Sequence, residues 1–74
     1  MKCFVTGAAG YIGNALVERL ISEGHSVIGL IHHSYPKKPV DNVTYIYGDI
    51  TNKESFSTYI TDVDIVFHCA AYVK

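Results

Sequence analysis

Thr6-Gly7-Ala8-Ala9-Gly10-Tyr11-Ile12-Gly13 follows the short apolar run Cys3-Phe4-Val5 and opens a helical pattern that continues to about Glu23. Strand, glycine turn and helix in direct succession is the setting in which such glycine spacing has a physical meaning. Gly7 permits a sharp turn at the strand end. Gly10 lets the backbone approach a pyrophosphate, and Gly13 lets the helix pack closely on the sheet. The free amides of the helix start then face the phosphates. The stretch reads as a dinucleotide phosphate cradle; the bland alternative is a glycine-rich turn that serves packing alone.

Outward from that stretch, residues 2–5 or 2–6 read as a buried parallel strand. Residues 11–22 read as an amphipathic helix with Ile12, Ala15, Leu16 and Leu20 facing the sheet, widened by Val17 and Ile21. Asn14, Glu18, Arg19 and Glu23 are expected to meet water, and Gly24 to end the helix. Residues 26–31 form a nearly all-apolar second strand. Pro36 and Pro39 make residues 34–42 a loop rather than a crossover helix. Residues 43–47 are a β-prone third strand. Thr51 and Glu54 suggest a capping box that opens a helix of two to three turns, with Phe56, Tyr59, Ile60 and Val63 inward. Residues 64–71 hold a fourth strand and the start of its exit. The expected fold is α/β: a Rossmann-like doubly wound parallel sheet, truncated to four strands in the order 3-2-1-4, as one unit over residues 1–74.

The 74 residues carry a formal net charge of -1 and 49% hydrophobic residues, a globular composition that allows one domain. Near-neutral charge gives no general argument for nucleic-acid binding, and no nucleic-acid partner is expected. No apolar run is long enough to span a membrane and no targeting segment is visible, so no membrane partner and a cytoplasmic location are the expectation. Cys3 and Cys69 read as reduced core thiols. No histidine–cysteine cluster has zinc spacing, and no metal site is expected.

Taken together, these features resemble the extended short-chain dehydrogenase/reductase family, which includes nucleotide-sugar epimerases, hydroxysteroid dehydrogenases and dihydroflavonol-type reductases. Thr6 through Gly13 is similar to its phosphate turn. Gly48-Asp49-Ile50 looks like its adenine-contacting segment, and His68-Cys69-Ala70-Ala71 like its fourth-strand exit, with Ala70 and Ala71 on the nicotinamide side. The resemblance implies hydride transfer involving a small-molecule substrate, with a tyrosine four residues before a lysine as the proton-transferring group. None of the six tyrosines here has a lysine four positions on, so no catalytic residue is assigned and the 74 residues alone are expected to be inactive. The family's ribose-binding acidic residue at the end of strand two is replaced by Ile31. With His32, His33, Lys37 and Lys38 following, this favours NADP, with NAD as the alternative. His68 reads as a satisfied strand histidine. The cofactor-binding set is therefore Gly7, Ala9, Gly10, Tyr11, Ile12, Gly13, Ile31, His32, His33, Lys37, Asp49, Ile50, Ala70 and Ala71. The competing readings are a non-catalytic nucleotide-binding module and a structural fragment. The apolar fourth strand, unpaired on its outer side, is expected to associate with another copy or a partner or, in a longer chain, to be covered by that chain's own later strands.

Overall fold

The computed structural model describes residues 1–32 and 35–69. Four strands, β1 (Lys2–Thr6), β2 (Ser26–Ile31), β3 (Val43–Tyr47) and β4 (Ile65–His68), form one parallel sheet in the order β3-β2-β1-β4. This is the expected Rossmann-like topology. In register, Val5 faces Gly29 on one side and Phe67 on the other. Strand β2 is central because Val27, Ile28, Leu30 and Ile31 are all buried, a pattern tolerated only where both sheet faces are covered.

Alternation along the strands sends side chains into two cores. Cys3, Val5, Val27 and Ile31 meet Ala8, Val17 and Leu20 on the face covered by helix α1 (Tyr11–Ser22). Phe4, Ile28, Leu30 and Ile46 meet Phe56 on the other face. Phe4 and Phe56 stack with ring centroids 5.5 Å apart and planes inclined by 23°.

The inward face of α1 differs from the expected one. Gly13, Val17 and Leu20 are buried, Leu16 and Ile21 pack at the margin, and Ile12 and Ala15 are exposed. The helix is rotated because its first turn is drawn against the glycine turn at Gly13, which a larger residue could not allow. Asn14, expected in water, is half-buried, and its Oδ1 is enclosed without a hydrogen-bond partner among the described residues. The helix ends as expected. Gly24 has φ +89°, its N–H donates to Ile21 O, and the His25 N–H donates to Leu20 O, which together form a Schellman motif.

The expected helix after Thr51 is replaced by two short 3-10 helices, Lys53–Ser55 and Ser57–Ile60. The capping box does not form. The Thr51 N–H and Oγ1–H both donate to Asp49 Oδ1, at 2.9 and 2.7 Å, and Ser55 Oγ donates to Asn52 O at 2.7 Å. These side chains offer the backbone local partners that compete with an α-helix, and Thr58, Ile60 and Thr61 add β-branched stiffness. Tyr59, expected inward, is exposed, whereas Phe56 is buried and Ile60 and Val63 pack beside it.

Both cysteines are free thiols; Cys3 is fully buried and Cys69 packs at the edge of the same core. Among the described residues, no helix is long and apolar enough to cross a membrane and no cluster could hold a metal ion.

Candidate functional site

The glycine turn sits at the carboxyl end of β1. Gly7 adopts φ +67°, a left-handed conformation in which a side chain is strained. Gly10 N donates to Gly7 O at 3.0 Å and closes the turn, and Ala8 N donates to Leu30 O at 3.1 Å, which ties it to β2. Gly13 has a different packing partner from the expected one. A Cβ there would lie 2.0 Å from Gly7 O and 2.8 Å from Gly7 C, so the helix presses on the turn backbone rather than on the sheet surface.

Helix α1 begins with Gly10 as its N-cap, with no side-chain cap and no acidic residue in its first turn. An uncapped helix start leaves backbone N–H groups to be satisfied from outside, and the aligned peptide dipoles favour an anion there. Tyr11 and Ile12, at 95% and 70% exposure, flank these amides without closing them off. The residues present therefore fit a diphosphate held by backbone amides.

Beside the turn, Gly7, Leu30, His32, Gly48 and Ile50 line a cavity of about 250 Å³. Of these, Leu30 was not expected from the sequence, and Gly48 belongs to the expected adenine-contacting segment 48–50. Gly48 has a legible signal, since it directly follows a strand, and a Cβ there would come within 2.8 Å of Leu30 Cδ1. Asp49 is held firmly at this rim. Its N–H donates to Ser55 Oγ at 2.9 Å, its Oδ1 accepts from Thr51, and its Oδ2 lies 3.6 Å from His32 Nε2. His32 and Asp49, which the sequence reading gave separate tasks, therefore face each other across the exits of β2 and β3. Their side chains are 55% and 43% exposed, which leaves both open to a ligand.

Ile31 is 2% exposed and packs in the core, so what it brings to the site is the lack of a carboxylate. Lys37 lies elsewhere. It lines an open groove of about 660 Å³ along the flank of α1, together with Ala9, Gly10, Tyr11 and Lys38. The loop carrying Lys37 is pinned by Tyr45, whose hydroxyl accepts from Val40 N at 2.9 Å and whose ring meets Tyr35 edge-on at 5.3 Å. His33, Ala70 and Ala71 lie outside the described residues.

Comparison with known proteins follows the same lines. The chain is 40% identical over 68 residues to the 2-alkyl-3-oxoalkanoate reductase of Shewanella oneidensis, covering 92% of this chain and 18% of that protein. Among solved structures, the Bordetella bronchiseptica enzyme WbmH in complex with NAD+ is similar with a TM-score of 0.81 and 32% identity, covering 99% of this chain and 26% of that one. The Thermotoga maritima UDP-glucose 4-epimerase is similar with a TM-score of 0.83 and 31% identity, covering 99% and 25%. The chain spans 8% of the first curated relatives it matches, so it corresponds to a small part of their length. The profile described as the NAD dependent epimerase/dehydratase family matches residues 3–74, and the chain belongs to that family.

Proposed function

We propose that these residues bind the adenosine diphosphate portion of NADP for an oxidoreductase or epimerase of the extended short-chain type, the hydride transfer being completed by groups outside residues 1–74. The observation that carries the reading is the uncapped start of α1 pressed against a left-handed Gly7, with Gly13 too close to the turn for any side chain. A bound dinucleotide supplies the hydride donor or acceptor. The amides following Gly10 hold its diphosphate, the cavity beside Gly7 and Gly48 takes the adenine end, and Asp49 and Ile50 border that cavity.

The preference for NADP rests on two features. Ile31 puts no carboxylate at the end of β2, and Lys37 and Lys38 stand, with Glu18, in the groove that begins at Ala9 and Gly10. A lysine–phosphate hydrogen bond contributes about 1.5–3 kcal/mol where it forms. Titration calorimetry of NADP+ and NAD+ against the full-length protein tests this. Tighter NADP+ binding that weakens in Lys37→Ala is expected, and NAD+ binding as tight as NADP+ would overturn the preference.

The residues present bind and orient rather than turn over. No tyrosine among them has a lysine four positions on. Enzyme-proportional oxidation of NADPH by the isolated 74 residues would contradict this. The outer edge of β4, with Val66 at 55% exposure, supports the further reading that another strand covers it, whether from a later part of a longer chain, a second copy or a partner.

A further inference from the structure

The chain builds β1, β2 and β3 outward in one direction and returns to place β4 on the opposite side of β1. The order therefore reverses between β1 and β4, and in open α/β sheets ligands bind outside the carboxyl ends of the strands at such a reversal. Thr6 and His68 face each other in register there, as the last residues of β1 and β4. Thr6 Oγ1 and His68 Nδ1 are 2.8 Å apart, and Thr6 is 1% exposed while His68 is open to solvent. We propose that Thr6 and His68 form a positioning pair that sets the exit of β4 against the phosphate turn and so tunes dinucleotide affinity, a reading that rests on the cofactor role proposed above.

The geometry gives the pair this leverage. Gly7, with its left-handed φ, follows Thr6 directly, so the hydroxyl bond constrains the backbone as it enters the turn. Cys69 follows His68 and packs on the core shared with Ala8. One short hydrogen bond therefore links the two walls of the ligand crevice. A hydroxyl can donate to an unprotonated imidazole nitrogen or accept from a protonated one, so the pair persists in either form of the histidine. The other end of β4 carries its own tie. Lys2 N donates to Asp64 Oδ2 at 2.8 Å, and Asp64 N donates to Lys2 O at 2.8 Å. That tie lies at the opposite end of the strands from the glycine turn, so loosening it is a control for mere weakening of the β1–β4 pairing.

The test is titration calorimetry of NADP+ and NAD+ against the full-length protein and its Thr6→Val, Thr6→Ser, His68→Ala, His68→Asn and Asp64→Ala variants, each checked for folding by circular dichroism. Loss of one part-buried hydrogen bond predicts about three- to tenfold weaker binding for Thr6→Val and His68→Ala. Thr6→Ser and His68→Asn, which keep a hydrogen-bonding atom near the same place, should recover most of it, and Asp64→Ala should lower stability with affinity intact. Imidazole 15N shifts of His68 that change in Thr6→Val would show the bond in solution. Equal affinity across all variants, or equal losses in Asp64→Ala and His68→Ala, would overturn the pair's role and leave the cofactor reading standing. Failure of the wild-type protein to bind either cofactor would overturn both.

Discussion

Two of the three crossovers of this molecule solve the same problem differently. Between β1 and β2 the chain builds a 12-residue α-helix, closed by a Schellman motif and seated on the sheet by Val17 and Leu20. Between β3 and β4 it builds two 3-10 turns of three and four residues, neither containing a buried residue. The first crossover is rich in helix formers such as Ala15, Leu16, Glu18, Arg19 and Leu20. The second is rich in serine and threonine, whose hydroxyls bind nearby backbone and the Asp49 carboxylate. The difference teaches that an apolar face is insufficient for a helix when local polar side chains offer the backbone another set of partners. The compensation in the second crossover is a single ring, Phe56, buried between the two 3-10 turns and stacked on Phe4.

The strongest way to break this comparison is Phe56→Ala. If that ring anchors the whole segment, chemical denaturation should show a loss of about 3–5 kcal/mol, with increased exchange of the segment's amides. A loss below about 1 kcal/mol would mean that the serine and threonine hydrogen bonds hold the segment unaided. Next comes Gly13→Ala in the first crossover. Its Cβ would meet Gly7 backbone at 2.0 Å, and backbone cannot swing aside as a side chain can. About 1–3 kcal/mol of destabilisation is expected, together with a large drop in dinucleotide affinity; unchanged calorimetric binding would detach the packing of α1 from the phosphate site.

Gly24→Ala sharpens the contrast at the helix end. The space around Gly24 is open, so the effect isolates the cost of φ +89° for an L-residue, about 1–2 kcal/mol by thermal or chemical unfolding. The smallest effects are those of pH. Burial raises the Cys3 thiol above its ordinary 9.0, so the folded state keeps its proton where the unfolded state loses one. That contribution is intact below pH 9.0 and declines as pH rises above it; Cys3→Ala should flatten the alkaline limb of a stability–pH curve. At the other extreme, the hydrogen bond from Lys2 holds the Asp62 carboxyl below its ordinary 3.8. This stabilisation is present above pH 3.8 and lost as pH falls through the lowered value, and Lys2→Ala should remove that acid limb. Both members of the pair are solvated, so the change should be the smallest of the series.

Much of this architecture could be read from residues alone. The strand spans, the helix over residues 11–22 and its end at Gly24 follow from local rules (apolar runs, helical periodicity, and the freedom of glycine at positive φ), and the order 3-2-1-4 follows from the doubly wound topology that this sequence of elements implies. The glycine turn was legible for the same reason, since its spacing and its place between a strand and a helix are local. The other matters needed the tertiary structure because they depend on how particular groups meet in space, some near and some far apart in sequence. The rotation that exposes Ile12 and buries Gly13 is set by the closeness of two backbones. The loss of the helix after Thr51 follows from Asp49 and Ser55 meeting across the turn. His32 faces Asp49, and Thr6 faces His68 across 62 positions, because parallel register brings strand ends together whatever their distance along the chain. Hydrophobic pattern determined which segments enter the sheet; hydrogen bonds and steric contact at its carboxyl edge, which no pattern encodes, decided which polar groups meet there.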